Sequence, residues 1–153
     1  MTEAVNTQPV FSMDKIYVKD ISLEIPHAPQ IFLERESPQI DVQLHSQAVT
    51  IEEGVYEVVV MTTVTAKAAD RVVFLIEAKQ AGVFQVRNVP NEELEPILSV
   101  MCPNILFPYL REVVSDVSVR GGFAPVTLSP INFEALYQQQ KQQLAQAALA
   151  TTH

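Results

Sequence analysis

The first half of the chain alternates between apolar and polar positions with a period of two, which is the pattern of β-strands that bury one face. The odd positions of residues 11–25 are mostly apolar, and the alternation returns over residues 39–48. Residues 55–66 are rich in Val and Thr, and residues 71–81 follow after a short turn. Short links between the last three segments favour antiparallel neighbours. The pattern therefore predicts a four-stranded antiparallel meander sheet.

The second half of the chain changes to helical spacing. Asn91 is a candidate N-cap, and Pro103 suits the first turn of a helix, where its missing N–H costs nothing. Pro108 lies deeper and predicts a kink or an irregular start. The apolar stripe of this helix consists of Leu106, Leu110, Val113, Val114 and Val117. The Gly-Gly pair at positions 121 and 122 ends the helix, and Asn132 caps the next one.

Strands followed by helices predict an α+β domain whose two C-terminal helices pack on one face of the sheet. Pro26, Pro29 and Pro38 lie between the first two strands and predict a long crossing loop there. We expect a single domain over residues 11–144, with a flexible N-terminus at residues 1–10 and a flexible tail at residues 145–153.

Composition and charge narrow the classes of function. The net charge of −8 and the scattered Lys and Arg residues argue against a nucleic-acid-binding surface. The first residues lack the basic and apolar regions of a signal peptide, and no apolar run approaches the roughly 20 residues that span a bilayer. Cys102 is the single cysteine, which suits a reducing compartment. We therefore expect a cytoplasmic protein with no nucleic-acid partner and no direct membrane insertion.

No catalytic or metal-binding motif is visible in the sequence. His27, His45 and His153 lie far apart without metal-ligand spacing, and there is no CxxC pair. Gly-rich phosphate loops and the GxSxG motif are missing as well. Cys102 lies in an apolar setting that predicts a buried, inert thiol. The sequence therefore predicts no catalytic residue, no metal site and no cofactor.

Strand alternation places three carboxylates on one surface of the sheet. If the odd positions of the first strand face inward, Asp20 and Glu24 face outward. The even positions of the fourth strand are the more apolar ones, so that Leu75 and Glu77 also face outward. A solvated sheet face is the ordinary interpretation of this pattern, and a docking surface is the alternative.

The aromatic residues and the helical stripe also allow a structural and a functional interpretation. Phe32, Phe123, Phe133 and Tyr137 either line a groove beside the helices or belong to the core, and core packing is the more frequent role of such side chains. The stripe within residues 106–117 has few partners in a two-layer domain. This shortage predicts that self-association covers it, which makes the stripe an oligomer interface.

Six sequence blocks resemble the SecB family of bacterial export chaperones. They are KIYVKDISLEIPHAP, VYEVVVMTTVTA, FLIEAKQAGVF, CPNILFPY, VSVRGGF and APVTLSPINFEALY. Together they follow the family's order over residues 11–137 without obvious gaps. The resemblance implies a SecB-like fold and a homotetramer built as a dimer of dimers. It also implies an ATP-independent chaperone that keeps unfolded precursor proteins competent for translocation and delivers them to the SecA motor.

The resemblance also implies roles for individual residues. The family's contact with SecA is an acidic sheet surface, which corresponds here to Asp20, Glu24, Leu75 and Glu77. The contacting part of SecA is a basic zinc-binding tail, so any zinc belongs to the partner. The implied client groove contains Phe32, Ile40, Val42, Leu44, Phe123, Leu128, Phe133 and Tyr137. The Gln- and Ala-rich C-terminal tail departs from the acidic tail of many relatives.

Two alternatives to an export chaperone remain open at this point. An enzyme or small-ligand binder on a one-sided sheet would need an enclosed pocket with convergent polar groups, and the sequence offers no such set. The other alternative is a chaperone of related fold that acts outside export, for example on a toxin partner.

Overall fold

The structure, a computed structural model, describes residues 7–150 and contains one four-stranded antiparallel sheet with helices on one face. This confirms the predicted α+β class. The strands and helices are β1 (Val10–Glu24), β2 (Gln39–Glu52), β3 (Val55–Ala68), β4 (Arg71–Arg87), α1 (Asn91–Pro96), α2 (Cys102–Arg120) and α3 (Phe133–Ala150). The strands begin within a residue of the predicted positions, but β2 and β4 are longer than the alternation suggested.

The order of the strands across the sheet is β1-β4-β3-β2. The meander therefore covers β2, β3 and β4 alone, and β1 lies beside β4 rather than beside β2. Because β1 and β2 lie at opposite edges, the segment between them has to cross the full width of the sheet. This segment is the long crossing loop expected from its prolines. It contains a short 3₁₀ helix, Gln30–Leu33, which follows a cis peptide bond between Ala28 and Pro29.

The helices α1 and α2 are joined by a π-helical turn over Ile97–Met101. Within this turn the Cys102 N–H donates to the Ile97 carbonyl, which is five residues earlier. Pro103 supplies the physical reason, because it has no N–H and its ring disfavours a regular turn before it. The irregularity thus precedes Pro103, and α2 continues through Pro108.

By length and composition alone, the continuous helix Asn91–Arg120 is sufficient to cross a membrane. Its apolar stripe, however, is covered by the sheet of the same chain, which is the arrangement of a core helix. Leu106, Leu110 and Val114 are fully buried in one cluster with Ile76 and Phe84.

The packing of α2 places the stripe that was expected at an oligomer interface against the core of its own chain. Leu106, Leu110, Val114 and Val117 are buried within the chain, and Val113 packs partly buried against the same core. Gly82 on β4 allows α2 to lie close to the sheet, since a Cβ at this position would lie 3.1 Å from the Leu106 Cδ2. No second copy of the chain is needed to cover this stripe.

Two β-bulges in β1 change which of its side chains face the helices. Register shifts fall between Met13 and Lys15 and between Val18 and Asp20. Each extra residue moves the following side chains to the other face of the sheet. Tyr17, expected to face inward, lies opposite Ala81 and bonds to Glu57 on the outer face, away from the helices.

The predicted flexible ends lie at the limits of the described chain. Residues 1–6 and 151–153 are outside the described residues, whereas α3 continues as a helix to Ala150. The N-cap of α3 is confirmed, because the Asn132 Oδ1 accepts the Ala135 N–H at 3.0 Å. The residue before α1 is Pro90, so that Asn91 is the first residue of that helix and not its cap.

The buried stripe predicts a specific loss of stability. Leu110→Ala should lower the free energy of unfolding by about 2–5 kcal/mol, because it leaves a cavity between α2 and the sheet. Leu144→Ala is the matched control, since Leu144 is 72% exposed on α3. The control should change stability by no more than about 0.5 kcal/mol. Urea unfolding at one fixed protein concentration measures both, and equal losses would contradict the burial of Leu110.

Candidate functional site

An apolar groove of about 680 Å³ lies between β2 and the segment that connects α2 to α3. Its lining consists of Pro38, Ile40, Val42, Leu44, Phe74, Phe107, Phe123, Ala124, Pro125, Val126, Thr127, Leu128, Ser129 and Ile131. Thr127 and Ser129 carry the polar side chains of this lining, and none of its members is titratable. The groove can therefore offer apolar contact and backbone groups, but no acid, base or nucleophile.

The floor of the groove exists because α2 does not cover β2. Ile40, Val42 and Leu44 pair with Ala66, Val64 and Thr62 on the helix side of the sheet. Whereas those β3 partners are buried under the helix, Ile40 and Val42 are each 43% exposed. The apolar positions of β2 follow the strand period, but packing leaves them accessible.

The wall of the groove begins where α2 ends in a Schellman motif. Gly122 has a φ of 88°, the Gly122 N–H donates to the Val119 carbonyl at 3.0 Å, and the Phe123 N–H donates to the Ser118 carbonyl at 3.1 Å. The positive φ favours glycine, which explains why the Gly-Gly pair stops the helix. The motif turns the chain back along the groove.

The Phe123 ring ties three distant segments together. Its centroid is 4.6 Å from that of Phe74 on β4 and 5.4 Å from that of Phe32 in the crossing loop. Gly122 leaves space for this stack, because a Cβ there would lie 3.3 Å from the Phe32 Cε1. The crossing loop and the wall therefore support each other.

Ser118, which sequence reasoning missed, fixes the wall to α2. Its fully buried hydroxyl donates to the Ser115 carbonyl at 2.8 Å and accepts the Val126 N–H at 2.9 Å. The bond to Val126 holds the middle of an otherwise irregular segment. A serine among the apolar positions of the α2 stripe was the available signal.

The structure brings together most of the predicted groove residues but not all of them. Five line the groove directly: Ile40, Val42, Leu44, Phe123 and Leu128. Phe32 joins them through its stack on Phe123. Phe133 and Tyr137 are core residues, 2% and 7% exposed, and Phe133 packs edge-on against Phe107 at 5.8 Å. Their ordinary core interpretation is therefore the one that the packing supports.

The four residues expected on the acidic face do lie together. Glu24 is the cross-strand partner of Leu75, and Ser22 that of Glu77, while Asp20 lies opposite Lys79. All of them are on the sheet face away from the helices, with Leu75 partly buried and the three carboxylates exposed. This face and the groove lie on opposite sides of the sheet.

A polar network not foreseen from the sequence lies on the same outer face. The Tyr17 hydroxyl donates to Glu57 on β3, and the Lys19 Nζ lies 2.8 Å from the Glu57 Oε1. Burial and the bond to Glu57 raise the pKa of Tyr17 to about 12. The bonds from Lys19 and Tyr17 lower the pKa of Glu57. At neutral pH the network is thus a neutral phenol and an ammonium on one carboxylate.

The sole cysteine is part of the core. Cys102 is fully buried in its reduced form, and burial raises the pKa of its thiol to about 12. It therefore has no thiolate character at neutral pH, as expected for an inert thiol. Among residues 7–150, no three His, Cys, Asp or Glu side chains are arranged to hold a metal ion.

A sheet covered on one face, with an open apolar groove beside its helices, is the arrangement of a protein that binds other polypeptides. Comparison of the sequence with known protein families identifies the family within this class. The family model described as "Preprotein translocase subunit SecB" matches residues 4–144. The chain belongs to the SecB family and is a protein-export chaperone.

Relatives share most of their sequence with this chain. The protein-export protein SecB of Methylobacillus flagellatus is 61% identical over 98% of this chain and 96% of its own length. That of Chromobacterium violaceum is 58% identical over 98% of this chain and 100% of its own length. That of Nitrosospira multiformis is 59% identical over 95% of this chain and 91% of its own length.

A solved structure has the same fold. A SecB-like chaperone from Mycobacterium tuberculosis, solved in complex with a ChAD peptide from an antitoxin, has a TM-score of 0.66 at 17% identity. The match covers 79% of this chain and 90% of the other. This likeness shows that the two chains share a fold.

Ser118→Ala tests whether the wall needs its anchor. The variant leaves the Val126 N–H without its partner, so that binding of an unfolded protein should weaken about 3- to 10-fold. Ser115→Ala is the matched control. The Ser118 hydroxyl donates to the backbone carbonyl of Ser115, so removal of the Ser115 side chain leaves that hydrogen bond in place. Titration with a fluorescently labelled unfolded protein measures both variants. Equal affinity for Ser118→Ala and the unmodified chain would contradict the anchoring role.

Proposed function

We propose that the groove holds unfolded stretches of precursor proteins in the cytoplasm, without ATP, and that the chain delivers them to SecA through its outer sheet face. The observation that carries the proposal is the groove itself: about 680 Å³, open along an edge strand and lined by apolar side chains. The protein acts by binding and release, and not as an enzyme.

The physics of such a groove fits a client without a defined sequence. Each apolar client side chain that it buries contributes roughly 1.5–3 kcal/mol, and several contacts add along its length. Because β2 is an edge strand, its outer backbone groups can add hydrogen bonds to an extended client. Folded proteins bury the same side chains and escape capture.

The outer face is the proposed SecA contact. Asp20, Glu24 and Glu77 offer three carboxylates around the apolar Leu75, which suits a basic zinc-binding tail. The zinc belongs to that partner. The net charge of −8 favours the encounter with a basic segment, and salt should weaken it. Because this face is opposite the groove, a client and SecA can bind together.

We further propose that the chain assembles as a homotetramer, a dimer of dimers. Support comes from apolar side chains that its own core leaves exposed. On the helix side of β1 these are Phe11, Met13, Val18 and Ile21, and along the long helix they are Met101, Tyr109 and Val119. Several grooves in one particle would hold a client by avidity. Sedimentation equilibrium measures the mass, and a monomer at micromolar concentration would contradict this assembly.

Val42→Asp tests the groove as the client site. A carboxylate in the floor should weaken binding of an unfolded protein at least about tenfold, because the client would have to desolvate it. Gln43→Asp adds the same charge to the same strand on the opposite face, and it should leave client affinity unchanged. Suppression of aggregation by each variant gives a second readout. Equal behaviour of the two variants would sink the groove assignment.

Glu77→Lys and Leu75→Gln test the outer face. Each should weaken SecA binding while client capture remains intact, because the two surfaces lie on opposite sides of the sheet. Glu53→Lys, in the turn between β2 and β3, makes the same charge change away from this face. Calorimetry with SecA measures all three. Unchanged affinity for Glu77→Lys would remove the assignment of this face.

A further inference from the structure

The orientation of the acidic face depends on one inserted residue in β1. Val18 lies opposite Gln80 and Asp20 opposite Lys79, so that Lys19 is the extra residue of a β-bulge. Between this bulge and the earlier one the outward positions are odd, as Tyr17 shows by its bond to Glu57. After the bulge they are even. In an uninterrupted ladder that keeps Tyr17 outward, Asp20 would face the helices.

The bulge is held from both faces of the sheet. On the outer face, Glu57 accepts bonds from Tyr17 and Lys19, the residues that flank Val18. On the helix side, the Gln80 Nε2 donates to the Tyr17 carbonyl at 3.1 Å, and this glutamine is almost fully buried. A buried amide at this point satisfies a backbone group in the strand that the bulge disturbs.

β4 lies between Tyr17 on β1 and Glu57 on β3, and it has a small side chain where the two residues approach each other. Tyr17 lies opposite Ala81 on β4, and Glu57 lies on β3, beyond β4. The small side chain of Ala81 leaves room for the phenol ring to pass over the central strand. A single carboxylate thereby joins β1 to β3 across β4.

We propose that Tyr17, Lys19, Glu57 and Gln80 are positioning residues that lock the bulge and thereby present Asp20 and Glu24 to a basic partner segment. This inference rests on the proposed role of the outer face in binding SecA. The four residues act through the backbone of β1 and need not touch the partner themselves. They make the sheet face a preorganised surface, so that less order has to be created on binding.

For Lys19→Gln, the loss of charge and the loss of the bulge lock predict opposite changes in affinity for a basic peptide. The direction of the change therefore distinguishes the two effects. Lys19→Gln removes a positive charge beside the acidic face, so that simple electrostatics predicts tighter binding of a basic peptide. Loss of the bulge lock predicts weaker binding, by about 3- to 10-fold. Lys15→Gln removes the same charge upstream on the same strand face and should bind no more weakly than the unmodified chain. Lys19→Arg keeps the ion pair and should restore affinity.

Tyr17→Phe and Gln80→Leu complete the test without any change of charge. Each should weaken binding of the zinc-loaded SecA tail peptide about 3- to 10-fold in calorimetry, while capture of an unfolded client stays unchanged. The nuclear Overhauser contact between Asp20 and Lys79, which the register requires, should weaken in parallel. A loss confined to thermal stability, with peptide affinity and this contact unchanged, would overturn the inference.

The outcomes separate this inference from the proposed function. If Glu77→Lys fails to weaken peptide binding, the outer face is not the SecA contact. If Glu77→Lys weakens binding but Tyr17→Phe, Gln80→Leu and Lys19→Gln leave it unchanged or tighter, the face stands and the bulge lock is wrong.

Discussion

The structure depends on how one helix covers a wider sheet. A helix with its side chains is about 10 Å across, whereas four strands spaced by about 4.8 Å form a surface of roughly 19 Å. α2 packs its stripe onto β4 and β3, where Leu106, Leu110 and Val114 are fully buried. The helix-side faces of both edge strands stay apolar and partly exposed. The β2 edge becomes the floor of the groove, and the β1 edge keeps exposed apolar side chains.

The strand order explains how the uncovered β2 edge becomes part of the apolar groove. Because β1 and β2 lie at opposite edges, the crossing loop must run across the sheet, and Phe32 reaches the wall of the groove. The Schellman turn at Gly122 sends the chain back toward β2, and Ser118 holds it there through Val126. The groove is thus built from the connections that the topology makes necessary. Its opposite side, the outer face, remains free for charged side chains.

The acidic face shows how a correct prediction can rest on incomplete reasoning. Simple alternation from Phe11 predicted that Asp20 and Glu24 point outward, and they do. The same alternation placed Tyr17 inward, which is wrong. Two bulges lie between Phe11 and Asp20: the first, before Tyr17, reverses the alternation, and the second, after Tyr17, restores it. A bulge leaves no clear mark in a pattern of apolar and polar residues, because it arises from pairing with another strand.

The sequence by itself determined the features that depend on neighbouring residues: four strands, the helix stop at Gly122 and the Asn132 cap. These follow from backbone preferences and local hydrogen bonds, which act within a few residues. Only the tertiary structure decided the order β1-β4-β3-β2, the burial of Phe133 and Tyr137, and the covering of the α2 stripe. Apolar residues follow the same sequence pattern whether they lie in a core or line a groove. Contacts between distant segments decide which of the two it joins.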